Sequence, residues 1–398
     1  MARHWIITNR EVKRKREGGH LIDRVEDSQR EALPVFRVGS LEIAPASNPS
    51  TDLLHNAFDI VPDDYPEDYT GITPETDPAR LVGSARLFLS LYKQMAESPA
   101  GKGDTLFFLH GFNYSWPDAL SHLLRLHRLY VEPPQSPIGQ ILYFTWPSWG
   151  QYGRYLSDQR IAQPSGALLG RVFGKAVQFY RDFFAPREDG TPAFCGRKLH
   201  FGAHSMGNLV MQEFMRSIWE YDYLRMPLFG EVLLLHADAD WNALEPEQPL
   251  HELPDYSQRI HVYNHASDDA LAISEATKND RKRLGRHGPR DLALVPPRMI
   301  VTDCSRLNGN VAVPQNAPTD VLAAAGAIAF ANGDSFDPVS GRVLGQASSR
   351  ERLFDHWGYL HRPEEVADIY RVLRGQSSAT IDGRDHVHDQ LYRLRAIA

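Results

Sequence analysis

Short apolar runs alternate with amphipathic segments over most of the chain. The runs are nearly continuous, as in strands buried on both faces, and lie at 105–111, 140–146, 198–204, 231–238, 259–265 and 298–303. Other segments place apolar residues every three or four positions, as amphipathic helices do, most clearly at 117–130, 166–184, 206–220 and 363–375. This alternation predicts a mostly parallel sheet with helices on both faces.

The first hundred residues have a different pattern. Strand-like runs at 4–10 and 34–43 flank the basic segment 9–19, which we interpret as a solvated connection between them. Residues 45–78 are rich in proline and acidic side chains, and an amphipathic helix follows. For residues 1–100 we therefore expect antiparallel N-terminal strands, an acidic surface loop and a helix, all within one domain that spans the whole chain.

Composition narrows the class of protein. The 398 residues are 42% hydrophobic and 23% charged, as in a soluble globular protein, and the net charge of −7 gives no reason to expect a nucleic-acid partner. Two distant cysteines, Cys195 and Cys304, cannot form a disulfide framework. Because the sequence has no signal-peptide pattern and no run of about 18 apolar residues, we expect a cytoplasmic protein without a transmembrane segment.

Ser205 lies at a predicted strand-to-helix corner, in Ala203-His204-Ser205-Met206-Gly207. The nucleophile elbow of serine hydrolases has the pattern G-x-S-x-G at such a corner, with small flanking residues because the turn is tight. Alanine at the first small position departs from that pattern. Ser205 is therefore a candidate nucleophile, and the alternative is a serine that only caps the helix.

A second motif follows the strand at 105–111. It reads His110-Gly111-Phe112-Asn113 and lies two strands before the Ser205 corner. Acyl transfer needs two backbone donors for the oxyanion, one from the residue after the nucleophile and one from a loop of this kind. We therefore predict that the N–H groups of Met206 and Phe112 form an oxyanion hole. The alternative is an ordinary Gly-Asn turn.

With these motifs the chain resembles the α/β-hydrolase superfamily, specifically its serine esterase and lipase-like branch. The resembling segments lie between residues 105 and 374 and read FLHGFN, TWPSWG, AHSMGN, YNHASDDALAIS and DHWGYLHRPEEVADI. The resemblance implies the α/β-hydrolase fold and a Ser–acid–His triad in that chain order. It also implies that no metal or organic cofactor takes part.

A serine nucleophile needs a histidine to accept its proton. Among 17 histidines, His356 lies after the last predicted strand of the sheet and before the last helix. A loop there reaches the edge of the sheet at which Ser205 is expected. His356 is therefore the predicted base, and His361 is the nearest alternative.

The acid has several candidates, because aspartates follow three strands. Asp238 and Asp240 follow one strand, Asp268 and Asp269 the next, and Asp303 a third. The resemblance favours Asp268, which lies two strands after the Ser205 strand. Asp269 is then expected to cap the short helix that follows.

Substrate contacts are predicted for Trp146, Trp149 and His204, which lie at or just beyond strand ends. The alternative for the tryptophans is packing beneath the turn at Pro147. Segment 305–350 interrupts the alternation of strands and helices, and it is either a partial cap or a surface excursion. Its apolar part favours packing near the mouth of the site.

Together these residues predict hydrolysis of a small-molecule ester through an acyl-enzyme. Ser205 attacks, His356 is general base and then general acid, and Asp268 orients His356. An amidase or thioesterase with the same triad is an alternative, because the acyl-transfer machinery does not name the leaving group. A non-catalytic binding protein with this fold is the third possibility.

Overall fold

The computed structural model describes most of the chain, namely residues 1–17, 20–26, 32–63, 69–148, 154–184, 195–220, 227–276, 281–307, 313–314, 316–332, 335–337, 342–344 and 355–396. The strands there are β1 Ala2–Thr8, β2 Val12–Glu17, β3 His20–Val25, β4 Arg37–Ile43, β5 Asp59–Ile60, β6 Asp104–Leu109, β7 Ile138–Thr145, β8 Leu199–His204, β9 Phe229–Leu235, β10 Ser257–Asn264, β11 Met299–Asp303, β12 Ser335–Asp337, β13 Arg342–Leu344, β14 Arg384–His388 and β15 Leu391–Leu394.

The helices in the same residues are α1 Thr51–Ala57, α2 Gly83–Glu97, α3 Trp116–Leu126, α4 Tyr155–Phe183, α5 Gly207–Glu220, α6 Leu253–Tyr256, α7 Asp269–Ser274, α8 Leu284–His287, α9 Thr319–Ala331, α10 Gly358–His361 and α11 Pro363–Leu373. A π-helical turn, His127–Val131, extends α3. Within the described chain, no helix has both the length and the apolar character that crossing a membrane requires.

Eleven strands form one sheet in the order β14-β15-β11-β10-β9-β8-β6-β7-β1-β4-β5. From β15 to β1 every neighbouring pair is parallel. Strands β4, β5 and β14 are antiparallel additions at the two edges. The predicted mostly parallel sheet and the antiparallel N-terminal pair, β1 and β4, are thereby confirmed.

The apolar core consists of two layers, one on each face of this sheet. Successive residues of β6 alternate between them, so that Phe107 lies in one layer and Phe108 in the other. Helices α2, α4 and α5 cover the first layer, and α3, α9 and α11 cover the second. The carboxyl ends of β6, β8, β9 and β10 meet at one edge of the sheet, as parallel neighbours must, and this edge carries the candidate site.

The basic segment 9–19 differs from its prediction. It contains a strand, because β2 pairs antiparallel with β3 in a separate two-stranded sheet. Its cations are matched by acids of the same hairpin, with Arg14 Nε 3.0 Å from Asp23 Oδ1. A run of charged side chains is compatible with an exposed strand, and one cross-strand pair, Arg14 and Asp23, has opposite charges.

The described part of segment 305–350 contains α9 and the short hairpin of β12 and β13. The apolar face of α9 lies in the same core layer as α11, and Arg371 of α11 donates to Asp320 at 3.0 Å. The apolar sequence of α9 is thus covered by the body of the protein. The predicted cap also involves residues 308–312 and 345–350, which lie outside the described residues.

Candidate active site

Ser205 occupies the corner between β8 and α5 with φ at +51°. A residue with a side chain rarely adopts this left-handed conformation, which costs of order 1–3 kcal/mol. Strand β9 and the loop after it hold the corner, since the Ser205 N–H donates to the Leu235 carbonyl at 3.1 Å and the Asp238 N–H donates to the Ser205 carbonyl at 3.2 Å. A helix-capping serine has an extended backbone, so the capping alternative does not fit.

The small residues around Ser205 are required by close packing. A Cβ atom at Gly207 would lie 2.6 Å from the His110 carbonyl oxygen, so α5 begins directly against the end of β6. Ala203, the departure from the usual glycine, is fully buried in the core layer below. Its methyl group is accommodated there without displacing the corner.

The loop after β6 lies directly against Ser205. A Cβ atom at Gly111 would be 2.9 Å from Ser205 Cβ, so only glycine leaves the corner undisturbed. Asn113 turns the loop with φ at +68°. The N–H groups of Asn113 and Tyr114 both donate to Ser148 Oγ, at 2.9 and 3.2 Å, which anchors the loop to the end of β7.

His110 shapes this loop from below. Its Nδ1 lies 2.8 Å from the Gly111 carbonyl oxygen and therefore carries the ring proton. Its Nε2 then accepts from the Thr145 hydroxyl at 3.0 Å and from the Trp146 N–H at 3.3 Å. Burial, with a smaller effect of Arg10, lowers the pKa of His110 to about 3, so the ring is neutral and has a structural role.

The two predicted oxyanion donors, Met206 and Phe112, each follow one of the two residues in close contact, Ser205 and Gly111. Met206 follows Ser205, and its N–H donates to no backbone carbonyl among the described residues. Phe112 follows Gly111, and its ring packs edge-on against Tyr155 with the centroids 5.5 Å apart. Both residues are at the edge of the sheet where α5 directs its N-terminal N–H groups.

The structure brings His356 and Asp268 together. His356 Nδ1 lies 2.8 Å from Asp268 Oδ2, and both side chains are buried. Burial raises the pKa of Asp268, but His356 and His236 more than offset this and hold that pKa well below its ordinary value. Because an ionised carboxylate only accepts, Nδ1 of His356 carries the proton and Nε2 is left as the basic nitrogen.

Asp268 also caps helix α7, a role that the sequence analysis predicted for Asp269. Helix α7 begins at Asp269, and Asp268 is its N-cap, with Oδ1 accepting the Leu271 N–H at 2.9 Å. The prediction that Asp269 caps this helix is wrong by one residue. Asp269 is exposed, as the first residue of the helix.

The other candidate acids have different partners. Asp238 accepts from Tyr155 Oη at 2.5 Å and from Ser274 Oγ at 2.9 Å. Asp240 is 2.8 Å from Arg283, and Asp303 accepts from Arg393 at 2.8 Å. His361, the alternative base, ends α10 and is partly exposed.

His204 links the Ser205 corner to the His356 loop. Its Nε2 donates to the His356 carbonyl oxygen at 2.9 Å, and the two imidazole rings are 4.7 Å apart. Burial lowers the pKa of His204 well below its ordinary value, so the ring is neutral. No hydrogen bond joins Ser205 to His356 in the described chain, which is common for such a pair before substrate binds.

Two of the three residues predicted to contact substrate, His204 and Trp146, are buried in the protein. His204 is buried and its polar contact is with the protein. Trp146 is fully buried, with its ring stacked on His110 at 5.2 Å, as in the packing alternative. Trp149 lies outside the described residues.

Two buried residues near Asp268 were missed by the sequence analysis, His236 and Glu365. His236 comes directly after β9, and the strand-end rule that selected Asp238 could have found it. No sequence pattern indicates Glu365, because its contact with His236 depends on how α11 packs against the sheet. His236 Nε2 lies 3.1 Å from Glu365 Oε1.

Comparison with known proteins agrees with this fold. Residues 90–296, just over half of the chain, match the family described as "Alpha/beta hydrolase of unknown function (DUF900)". No curated protein matches the chain. Among solved structures it is similar to a metagenomic carboxyl esterase, at 13% identity over 70% of this chain and 76% of that chain, but the TM-score of 0.22 is too low to add to the assignment. From the family match and the sheet together, the chain belongs to this family of α/β hydrolases of unknown function.

Proposed function

We propose that the protein hydrolyses carboxylic esters through a covalent acyl-enzyme. Ser205 is the nucleophile, His356 is the general base and then the general acid, and Asp268 orients His356. The observation that carries the proposal is the left-handed backbone of Ser205 at the β8–α5 corner. A fold that holds a serine in this costly conformation, next to a buried histidine–aspartate pair, has the parts of a serine hydrolase.

The first step is attack on the ester carbonyl. Nε2 of His356 accepts the Ser205 hydroxyl proton as Oγ forms a bond to the carbonyl carbon. Asp268 accepts from Nδ1, which fixes the tautomer and stabilises the imidazolium that forms. The low pKa of Asp268 keeps this carboxylate ionised at neutral pH.

The tetrahedral intermediate carries a negative oxygen that needs donors. We assign these to the N–H groups of Met206 and Phe112, supported by the close contact of Gly111 with the Ser205 corner. The N-terminal end of α5 adds its favourable dipole. His356 then protonates the departing alcohol, and a water molecule activated by the same ring hydrolyses the acyl-enzyme.

The test compares turnover of short- and long-chain p-nitrophenyl esters with turnover of the matched anilides and thioesters. We expect the oxygen esters to be the best substrates. Ser205→Ala should reduce turnover on the order of 10³-fold or more, because only oxyanion stabilisation and binding survive loss of the nucleophile.

Ser217→Ala is the matched control, since it removes a different buried hydroxyl, one that belongs to helix α5 rather than to the corner before it. It should retain activity. Preferential turnover of the anilide or thioester would replace the ester proposal with the amidase or thioesterase alternative. Absence of turnover of all three would favour a binding protein.

A further inference from the structure

A second histidine–carboxylate pair lies behind Asp268. His236 Nδ1 is 3.6 Å from Asp268 Oδ2, the same oxygen that His356 contacts. On its other side, His236 Nε2 is 3.1 Å from Glu365 Oε1. The side chains of His236, Asp268 and Glu365 are at most 1% exposed. Glu365, His236, Asp268 and His356 therefore form one buried row that leads away from the site.

Three separate parts of the fold build this row. His236 follows β9 with φ at +43°, and its N–H donates to the Tyr263 carbonyl of β10 at 3.1 Å. Glu365 lies in the first turn of α11. Any Cβ atom at Gly358 of α10 would collide with the Glu365 carboxylate, so glycine there leaves the space that this carboxylate needs.

The row carries alternating charges. Burial lowers the pKa of His236, but Glu365 and Asp268 outweigh this and raise it to about 9. The ring is therefore an imidazolium at neutral pH, with a carboxylate facing each nitrogen. Glu365 contacts Nε2 of His236, the nitrogen that faces away from Asp268. Of Glu365 and His236, the positively charged His236 is therefore nearer to His356, and the His236 and His356 rings are 6.2 Å apart.

We propose that His236 and Glu365 are positioning residues, which hold Asp268 against His356 from its buried side and oppose protonation of His356 at mildly acidic pH. The inference rests on the proposed function, because the pair acts through Asp268 and His356. An imidazolium next to the carboxylate fixes its orientation, and its charge makes a second positive charge on His356 less favourable.

The remaining titratable groups near the two rings do not supply this effect. Burial lowers the pKa of His204 and His265, so both are neutral near pH 7. Burial raises the pKa of Asp238, and Arg283, Tyr155, Ser274 and His356 oppose that rise. Arg283 Nε lies 3.6 Å from Asp238 Oδ1, so this cation is paired with Asp238. Asp355 and Arg362 form an ion pair beyond His265.

The kinetic test is the double variant His236→Gln with Glu365→Gln. It removes one positive and one negative charge, so the net charge is unchanged, and it leaves amides that still form hydrogen bonds. With the positive group lost, the acidic limb of the kcat/KM profile for the ester should move to higher pH by about half a unit to one unit. A merely structural role would lower activity without moving that limb.

The matched control is Asp368→Asn with Arg384→Gln. This pair is also buried and also involves α11, with Arg384 Nη2 2.6 Å from Asp368 Oδ2, and its further side-chain hydrogen bonds are with Tyr263 and Ser378. The control should leave the acidic limb in place. A profile of the His236/Glu365 variant that superimposes on that of the wild type would overturn the proposal.

Histidine-selective ¹⁵N NMR of the unaltered protein gives a second test, which needs neither activity nor a stable variant. The His236 ring should remain protonated at both nitrogens at pH 7.5. A neutral His236 at that pH would overturn the inference even if ester hydrolysis is observed. A protonated His236 in a protein without ester turnover would instead place the failure in the proposed function.

Discussion

The proposed function depends most on one residue, Ser205, and on its backbone conformation. Hydrogen bonds to Leu235 of β9 and to Asp238 after it maintain the positive φ of Ser205. The corner is also packed closely against Gly111 and Gly207, two positions that have no room for a side chain. A conformation that costs about 1–3 kcal/mol persists only where the surroundings determine it. Here they do so for a serine at the carboxyl edge of the parallel sheet.

A second residue-scale question is which carboxylate serves His356. Asp268→Asn should reduce ester turnover by about 10⁴-fold, because an amide no longer fixes the histidine tautomer. Asparagine still caps α7, so this change tests the contact with His356 rather than the helix. Asp238→Asn should have a much smaller effect, since the Asp238 carboxyl group binds Tyr155 and Ser274.

Turnover of the two variants is measured side by side with one p-nitrophenyl ester. If Asp268→Asn retains near-normal turnover while Asp238→Asn loses it, the acid of the proposed triad is misassigned. The roles proposed for Ser205 and His356 would be unaffected by that result.

At the scale of elements, the proposed oxyanion site depends on contact between the loop after β6 and the start of α5. Gly111→Ala would place a methyl group 2.9 Å from Ser205 Cβ, so the loop or the corner has to move. We expect kcat to fall by roughly 10²-fold or more, the scale of one lost oxyanion donor. Steady-state kinetics of the folded variant measure this.

Gly71→Ala is the matched control. Gly71 has a left-handed backbone, with φ at +72°, and a Cβ atom there would have no neighbour within 4 Å. Its substitution should leave kcat unchanged. Unaltered kinetics in a folded Gly111→Ala protein would show that this loop does not supply a donor.

At the scale of the whole molecule, the regular part of the fold was predictable because it follows from local pattern. Buried strands and amphipathic helices have distinct periods, and parallel strands bring their carboxyl ends to one edge. Strand-end positions therefore narrowed the acid to five aspartates, the corner motif selected Ser205, and the family resemblance selected Asp268, which the structure joins to His356 by a hydrogen bond.

The remaining features depend on packing between distant segments. Glu365 reaches His236 only because α11 covers one core layer, and these two residues are 129 positions apart. Trp146 at a strand end could line a pocket or the core, and only its neighbours decide this. The β2–β3 hairpin was missed because β2 is charged rather than apolar.

The central claim is that Ser205 becomes covalently acylated, and labelling with a fluorophosphonate ester tests it most directly. Peptide mapping by mass spectrometry should find one adduct per chain, on the peptide that contains Ser205, and none in Ser205→Ala. Asp268→Asn should label more slowly. An adduct on a different serine, or loss of ester turnover on treatment with the probe while Ser205 stays unlabelled, would contradict the account.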